Sequence, residues 1–159
     1  MSKEAIAAVH LIGLSLPGKT INKNGQSSID CKKLWHQFDD GNYAASITHK
    51  LSNDIYGVYH QYDGDSGQPF SYFIGCKVAK DTAPPEGLVG LTIPAGTYEK
   101  ISATGKMPDC VIKAWKDIWT AGLNRTYHTD FEVYDDRSKD WNNAEVDVYV
   151  SVSDFPLPQ

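Results

Sequence analysis

At 159 residues the chain fits one ordinary domain, or two small halves sharing a core, and it has no run of about 18 apolar residues to form a membrane-spanning helix. A composition that is 41% hydrophobic and 22% charged excludes wholesale disorder. A net charge of −5 with no block of Lys and Arg argues against a nucleic-acid-binding surface.

The N-terminus, Met1-Ser2-Lys3-Glu4, carries an acid where a signal peptide needs positive charge, and the apolar run behind it is interrupted by His10 and Gly13. The expectation is a cytoplasmic protein. Cys31, Cys76 and Cys110 are far apart and odd in number, which fits small buried hydrophobes in a reducing compartment.

Ala5 to Leu16 reads as a first strand, ended by Pro17-Gly18. Residues 19–27 are loop-like. Ser28 is placed to cap a helix to about Phe38, with Ile29, Leu34, Trp35 and Phe38 as its apolar stripe. Asn53 to Tyr62 reads as a strand, Asp63 to Gly67 as a turn, and Phe70 to Ala79 as the hairpin partner. Pro84-Pro85-Glu86-Gly87 marks a linker.

Leu88 to Ile93 and Gly96 to Thr104 then read as a strand pair or one bent strand. Pro108 precedes a helix of about Asp109 to Ala121, striped by Val111, Ile112, Trp115, Ile118 and Trp119 and closed by Gly122. Thr126 to Tyr134 is the next strand and Asp135 to Asn143 a polar turn. In Ala144 to Val152, Val146, Val148, Val150 and Val152 alternate with polar residues and Tyr149. Asp154 to Gln159 is a proline-containing tail.

The order strand-helix-strand-strand occurs twice, at about 5–80 and 88–153, joined by 81–87. This predicts one α+β domain, with two helices on an antiparallel sheet curved into a sandwich or barrel. The two copies are anchored by Tyr56-Gly57-Val58-Tyr59 and, 75 residues on, Phe131-Glu132-Val133-Tyr134. Glu132 thus falls where the first copy has Gly57. In a strand Glu132 and Tyr134 share one face. The bland reading puts both in water. The alternative is a lopsided cleft with one carboxylate, since a glycine within a strand often marks close approach by a ligand or backbone.

The nine Tyr, five Phe and four Trp include Trp35 and Trp115 at matching helix positions, and Tyr72 and Tyr149 at nearly matching places on the last strands. Each is an ordinary core candidate. As a set they form π-faces that attract cations, worth roughly 0.5–2 kcal/mol per contact. The five histidines share no metal-ligand spacing, and Asp63-Gly64-Asp65 lacks the Glu of a calcium loop, so no metal or cofactor is expected.

Leu91-Thr92-Ile93-Pro94-Ala95-Gly96-Thr97-Tyr98, Gly105, the Trp-bearing helix, Phe131-Glu132-Val133-Tyr134 and Glu145-Val146-Asp147-Val148-Tyr149-Val150 together resemble the GyrI-like, or AraC- and BmrR-type, effector-binding domain family. The resemblance runs from about Ala5 to Val152 and is most specific in the second half. It implies two strand-helix-strand-strand repeats around a central cleft. It also implies a buried glutamate ringed by tyrosines that holds cationic aromatic drugs, here Glu132, with Trp35, Tyr72, Trp115 and Tyr149 as aromatic neighbours. Ser151 stands where many relatives have proline. Relatives in bacterial transcription regulators carry a DNA-binding domain, but here the duplicated unit uses up the chain, so a free-standing module is expected.

Three functions compete at this point. The first is a non-catalytic binding protein for lipophilic cationic small molecules, with Glu132, Gly57 and the aromatics as its site. The second is a protein-interaction module that regulates a separate DNA-binding protein or inhibits an enzyme such as gyrase. The third is a hydrolase with Glu132 as general base.

Overall fold

The computed structural model describes residues 1–153, so the tail from Asp154 lies outside the described residues. In chain order the elements are β1 (Ser2–Ile6), β2 (Val9–Ser15), α1 (Gln26–Asp40), α2 (Tyr43–Ser46), β3 (Lys50–His60), β4 (Ser71–Val78), β5 (Val89–Ile93), β6 (Gly96–Gly105), α3 (Asp109–Thr120), β7 (Thr129–Tyr134), a 3-10 turn (Asp136–Ser138) and β8 (Ala144–Ser151). The strands make one 8-stranded sheet in the order β1-β6-β8-β7-β3-β4-β2-β5, antiparallel throughout. It curves into a half-barrel, as the α+β expectation required. No helix among the described residues is long and apolar enough to cross a membrane.

The sheet order reads the same from both ends once the second half is mapped onto the first. β7 and β3 pair at the centre, β8 and β4 flank them, and β6 and β2 come next. The outermost strands are exchanged. β1 precedes β2 in the chain but pairs with β6, while β5 precedes β6 but pairs with β2. Two sequence expectations change here. The apolar run Ala5 to Leu16 is two strands, because its halves hydrogen-bond to opposite ends of the sheet and break at Ala7-Ala8. Likewise β5 and β6 are neither a hairpin nor one bent strand, since each pairs elsewhere.

The first helix begins at Gln26, before the expected Ser28 cap, behind Gly25 in a left-handed conformation (φ 72°). Leu34 and Phe38 are its buried residues, while Ile29, assigned to the same stripe, is 50% exposed. Ile29 lies off the line that Leu34 and Phe38 trace along the helix. α3 matches its prediction closely. Pro108 is its N-cap and Gly122 (φ 67°) follows its end in the left-handed conformation that glycine adopts without strain. Ile112 and Trp119 stay half-exposed on α3, although they were read as part of its apolar stripe.

α1 and α3 lie on one face of the sheet over separate cores. The first gathers Leu34 and Phe38 with Ile12, Leu14, Ile74 and Cys76; the second gathers Val111, Ala114 and Ile118 with Val146, Val148 and Val150. Each fully buried aliphatic or aromatic side chain here contributes about 1.5–3 kcal/mol. A third core, including Tyr56, Val58, Phe73, Ile93, Tyr98 and Phe131, covers the opposite face. With both faces covered, Asp147 and Ser151 are buried along with the alternating valines of β8. The β3·β7 seam therefore runs between the two helix-covered cores, and its helix-side residues are what the helices flank.

The half-barrel requires β2 and β4 to approach closely at Gly13, which pairs with Gly75. A Cβ on Gly13 would sit 1.9 Å from the Ile74 carbonyl oxygen, a backbone atom that cannot rotate away. Gly13→Ala is therefore expected to cost about 3 kcal/mol, the upper end of overpacking penalties, read as a lower denaturation midpoint at unchanged m-value.

Candidate functional site

The register at the seam places Gly57 directly opposite Glu132 and Tyr59 opposite Asp130. Period-two alternation then puts Glu132, Tyr134 and Asp130 of β7, with Gly57 and Tyr59 of β3, on the helix-covered face. Glu132 is only 1% exposed. Its carboxylate accepts three hydrogen bonds, from Trp115 Nε1 to Oε2 at 2.7 Å, from Tyr59 Oη to Oε2 at 3.1 Å and from Tyr134 Oη to Oε1 at 2.8 Å. Every donor is an aromatic side chain, and no ion pair to Glu132 occurs among the described residues. The bland reading, a solvated strand glutamate, is excluded by this burial.

Burial pushes the Glu132 carboxyl above the ordinary carboxylate range, and the hydrogen bonds from Trp115, Tyr134 and Tyr59 pull it part of the way back. Burial, followed by the Glu132 charge, holds the hydroxyls of Tyr59, Tyr72 and Tyr134 well above the usual tyrosine range. They stay protonated; Tyr59 and Tyr134 donate to Glu132, while the Tyr72 hydroxyl accepts from Trp35.

Trp35 and Trp115 do hold corresponding places, but they touch different acceptors. Trp115 donates to the carboxylate; Trp35 donates to the Tyr72 hydroxyl at 2.9 Å. That hydroxyl occupies the space beside Gly57. A Cβ there would lie 2.4 Å from Tyr72 Oη and 3.3 Å from Glu132 Oε1. The absent side chain of Gly57 thus leaves room for a tyrosine tip, not for a cleft. Trp35 also sets its ring edge-on to Tyr134 at 4.9 Å. Trp35, Tyr72 and Gly57 consequently form the layer behind the carboxylate.

Tyr149 is not brought to this site. It pairs with Phe131 and stacks on it at 4.7 Å, on the sheet face away from the helices. Its strand runs three positions out of step with the match of Tyr72 to Tyr149 drawn in sequence. Ile74 faces Gly57 and Val148 faces Glu132, so the counterpart of Tyr72 on β8 is near Val146.

A cleft of about 200 Å³ opens beside the carboxylate, between the first turns of α1, the end of β3 and the cleft-facing side of α3. Tyr59 and Trp115 line it, and both donate to Oε2, so these two rings separate Glu132 from the opening. Ile112, Trp119, Tyr62, Phe70, Cys31 and Arg125 complete the walls. Burial first, then the charges of Glu132 and Asp30, raise the Cys31 thiol to about 12.

Sequence reasoning did not select Tyr59, Tyr62, Trp119 or Arg125. Tyr59 and Tyr134 close the two matched tetrads and share the Glu132 face, which is a usable signal. Trp119 lies one helical turn from Trp115 and was absorbed into the core stripe. Nothing local marks Arg125, which reaches the site from the α3–β7 connection.

The crowding at Gly57 can be checked. Gly57→Ala is expected to cost about 1–3 kcal/mol in a denaturant melt, because Tyr72 is fully buried and tied to Trp35. Adding Tyr72→Phe removes the nearest atom and should restore part of that loss.

Comparison with known proteins places the chain by fold and by family. An integron cassette protein from the mobile metagenome of Vibrio cholerae superposes with a TM-score of 0.73 at 27% identity, over 96% of this chain and 95% of that one. SAV2435, solved bound to tetraphenylphosphonium, superposes with a TM-score of 0.75 at 17% identity, over 96% and 93% of the two chains, a likeness of fold. The YobU protein of Bacillus subtilis (strain 168), named as a transcriptional regulator protein, is 26% identical over 123 residues, 75% of this chain and 77% of its own length. The family model of Cass2, integron-associated effector binding protein, matches residues 6–152, and the chain belongs to that effector-binding family.

Proposed function

We propose that this chain is a non-catalytic binding module for lipophilic aromatic cations, acting in the cytoplasm as a ligand sensor or sequestering protein. The observation that carries this reading is Glu132: a carboxylate at 1% exposure whose donors are all neutral and aromatic. A buried charge without a counter-ion is costly, and a desolvated cation brought beside it relieves that cost. The flat faces of Tyr59 and Trp115 add cation–π attraction. Tetraphenylphosphonium in SAV2435 is a cation of this kind on the same fold and supports the reading.

The cleft, at about 200 Å³, falls below the roughly 300 Å³ at which drug-sized pockets begin. Entry therefore turns Trp115 or Tyr59 aside and exchanges a neutral donor on Oε2 for the ligand's charge. Cys31 on the cleft wall is held as a protonated thiol and Glu132 is engaged by three hydrogen-bond donors, which supports binding without turnover.

Titration with tetraphenylphosphonium, followed by tryptophan fluorescence, tests this directly. Saturable binding is expected, weakened at least about tenfold in Glu132→Gln, the loss of roughly one charge-assisted contact. Equal affinity in the variant would remove the charge from the account, and no cation binding at all would favour the partner-protein reading.

The pH dependence has a definite sign. A carboxyl whose folded-state pKa is raised contributes stability that is full below its unfolded-state pKa and lost as pH rises through the folded-state one. Without ligand, Glu132→Gln should therefore melt a few degrees above the wild type at neutral pH, with the gap closing as pH falls. Cation affinity should fall as pH drops through the folded-state pKa in the wild type and stay flat in the variant.

A further inference from the structure

Beside the cleft lies a second buried charge that cation binding does not use. Arg125 lines the cleft with its side chain only 5% exposed. Its Nη2 pairs with Asp130 Oδ2 at 2.7 Å. Asp130 is itself filled, accepting from Tyr62 Oη at 2.7 Å, from the Ser151 amide at 2.8 Å and from Ser151 Oγ at 3.2 Å. The other guanidinium nitrogens, Nε and Nη1, are buried with no hydrogen-bond partner among the described residues.

Aromatic contacts do not meet that need. The guanidinium carbon lies 4.4 Å from the Tyr127 ring centroid and 5.9 Å from that of Trp115. Stacking engages the flat face of the group and leaves its N–H bonds, which lie in the plane, without acceptors. A buried charged donor left unpaired is among the costlier defects a fold can hold. Here two sit on one side chain at the wall of an opening. The same Trp115 indole that is near Arg125 donates to Glu132, so a ligand that turns this ring aside meets both groups.

Resting on the cation reading of Glu132 and extending it, we propose that the cleft is built for aromatic cations that also carry an acceptor oxygen, a carbonyl or carboxylate, received by Nε or Nη1 of Arg125. Asp130 already balances the guanidinium, so recognition at this end is by hydrogen bonding and a neutral carbonyl suffices. The pair makes the site bipolar. Glu132, at the Nε1 edge of the Trp115 indole, selects for positive charge, and Arg125, over the ring of the same indole, selects for an acceptor.

Three probes on one tetraarylphosphonium frame test this in the intact protein: tetraphenylphosphonium, its para-carboxy derivative and the methyl ester of that derivative. The wild type should prefer the ester to the parent by about tenfold, one charge-assisted hydrogen bond. The carboxylate, which also carries acceptor oxygens, should likewise bind more tightly than the parent. The readout is the ratio of affinities, which cancels general damage. Arg125→Lys keeps a cation for Asp130 but supplies no second nitrogen toward the cleft, and there the ratio should fall to about one. Should that variant fold poorly, Arg125→Met with Asp130→Asn removes both buried charges together and carries the same expectation.

Glu132→Gln should weaken all three probes while the ratio persists. A wild-type ratio near one, a ratio that survives loss of Arg125, or failure of all three probes to bind overturns the proposal. Binding of the acceptor-bearing probes with equal affinity in Glu132→Gln would instead sink the cation reading and leave Arg125 standing.

Discussion

The structure turns on one pairing: Gly57 faces Glu132 across the β3·β7 seam. A carboxylate is held on the helix-covered face at the middle of an 8-stranded sheet, where water is excluded. Such a charge persists only if enough donors reach it. They come from three elements. Tyr59 reaches from β3, Tyr134 from β7 itself and Trp115 from α3. The arrangement is solved differently on the two sides of the seam. Where α3 supplies an indole to a carboxylate, α1 supplies one to the Tyr72 hydroxyl, which sits where a side chain at residue 57 would begin. One half answers the helix tryptophan with a charge and the other with a neutral oxygen.

The cores on either side give the site its stiffness. α1 is pinned by Leu34 and Phe38, α3 by Val111, Ala114 and Ile118, each over its own set of strand residues. The tryptophans project from these anchored helices toward the seam, so their indoles are aimed by packing and not by the hydrogen bonds alone. What remains adjustable is the narrow layer between the helices, where aromatic rings meet edge-on or tilted at 4.8–5.0 Å. Rings held by a single hydrogen bond and edge contacts rotate more readily than a helix shifts. Accommodation of a ligand is accordingly a matter of side chains, within walls that stay in place.

The duplicated core of this fold is legible in the sequence because the matched tetrads fall on the seam, where local pattern and pairing coincide. The alternating valines of β8 and the Val111 and Ile118 part of the α3 stripe were readable for the same reason, while Ile112 and Trp119 of that stripe are half-exposed. The exchange of β1 and β5 was not, because strand pairing between distant segments leaves no local mark, and Ala7-Ala8 interrupts the chain without a turn residue. Glu132 was found by its mismatch with Gly57. Tyr149 was misassigned because the final strands are related by 74 positions (Ile74 to Val148) rather than the 77 that separate Tyr72 from Tyr149, and an odd step reverses the face. Arg125 and Asp130 form their ion pair across a loop and a strand, and nothing in their spacing announces burial.

The symmetry of the sheet has a consequence for how such a site can exist at all. Two separate copies of one half could build the same eight strands around a two-fold axis, each lending its leading strand to the other. Identical chains, however, must carry identical residues at the axis. They would set either two glutamates face to face, with carboxylates repelling one another in a dry interior, or two glycines and no charge. With both halves in a single polypeptide, position 57 can drift from position 132. The unpaired carboxylate is thus a property that covalent continuity makes possible, and the short segment joining β4 to β5 is what frees the two halves to differ.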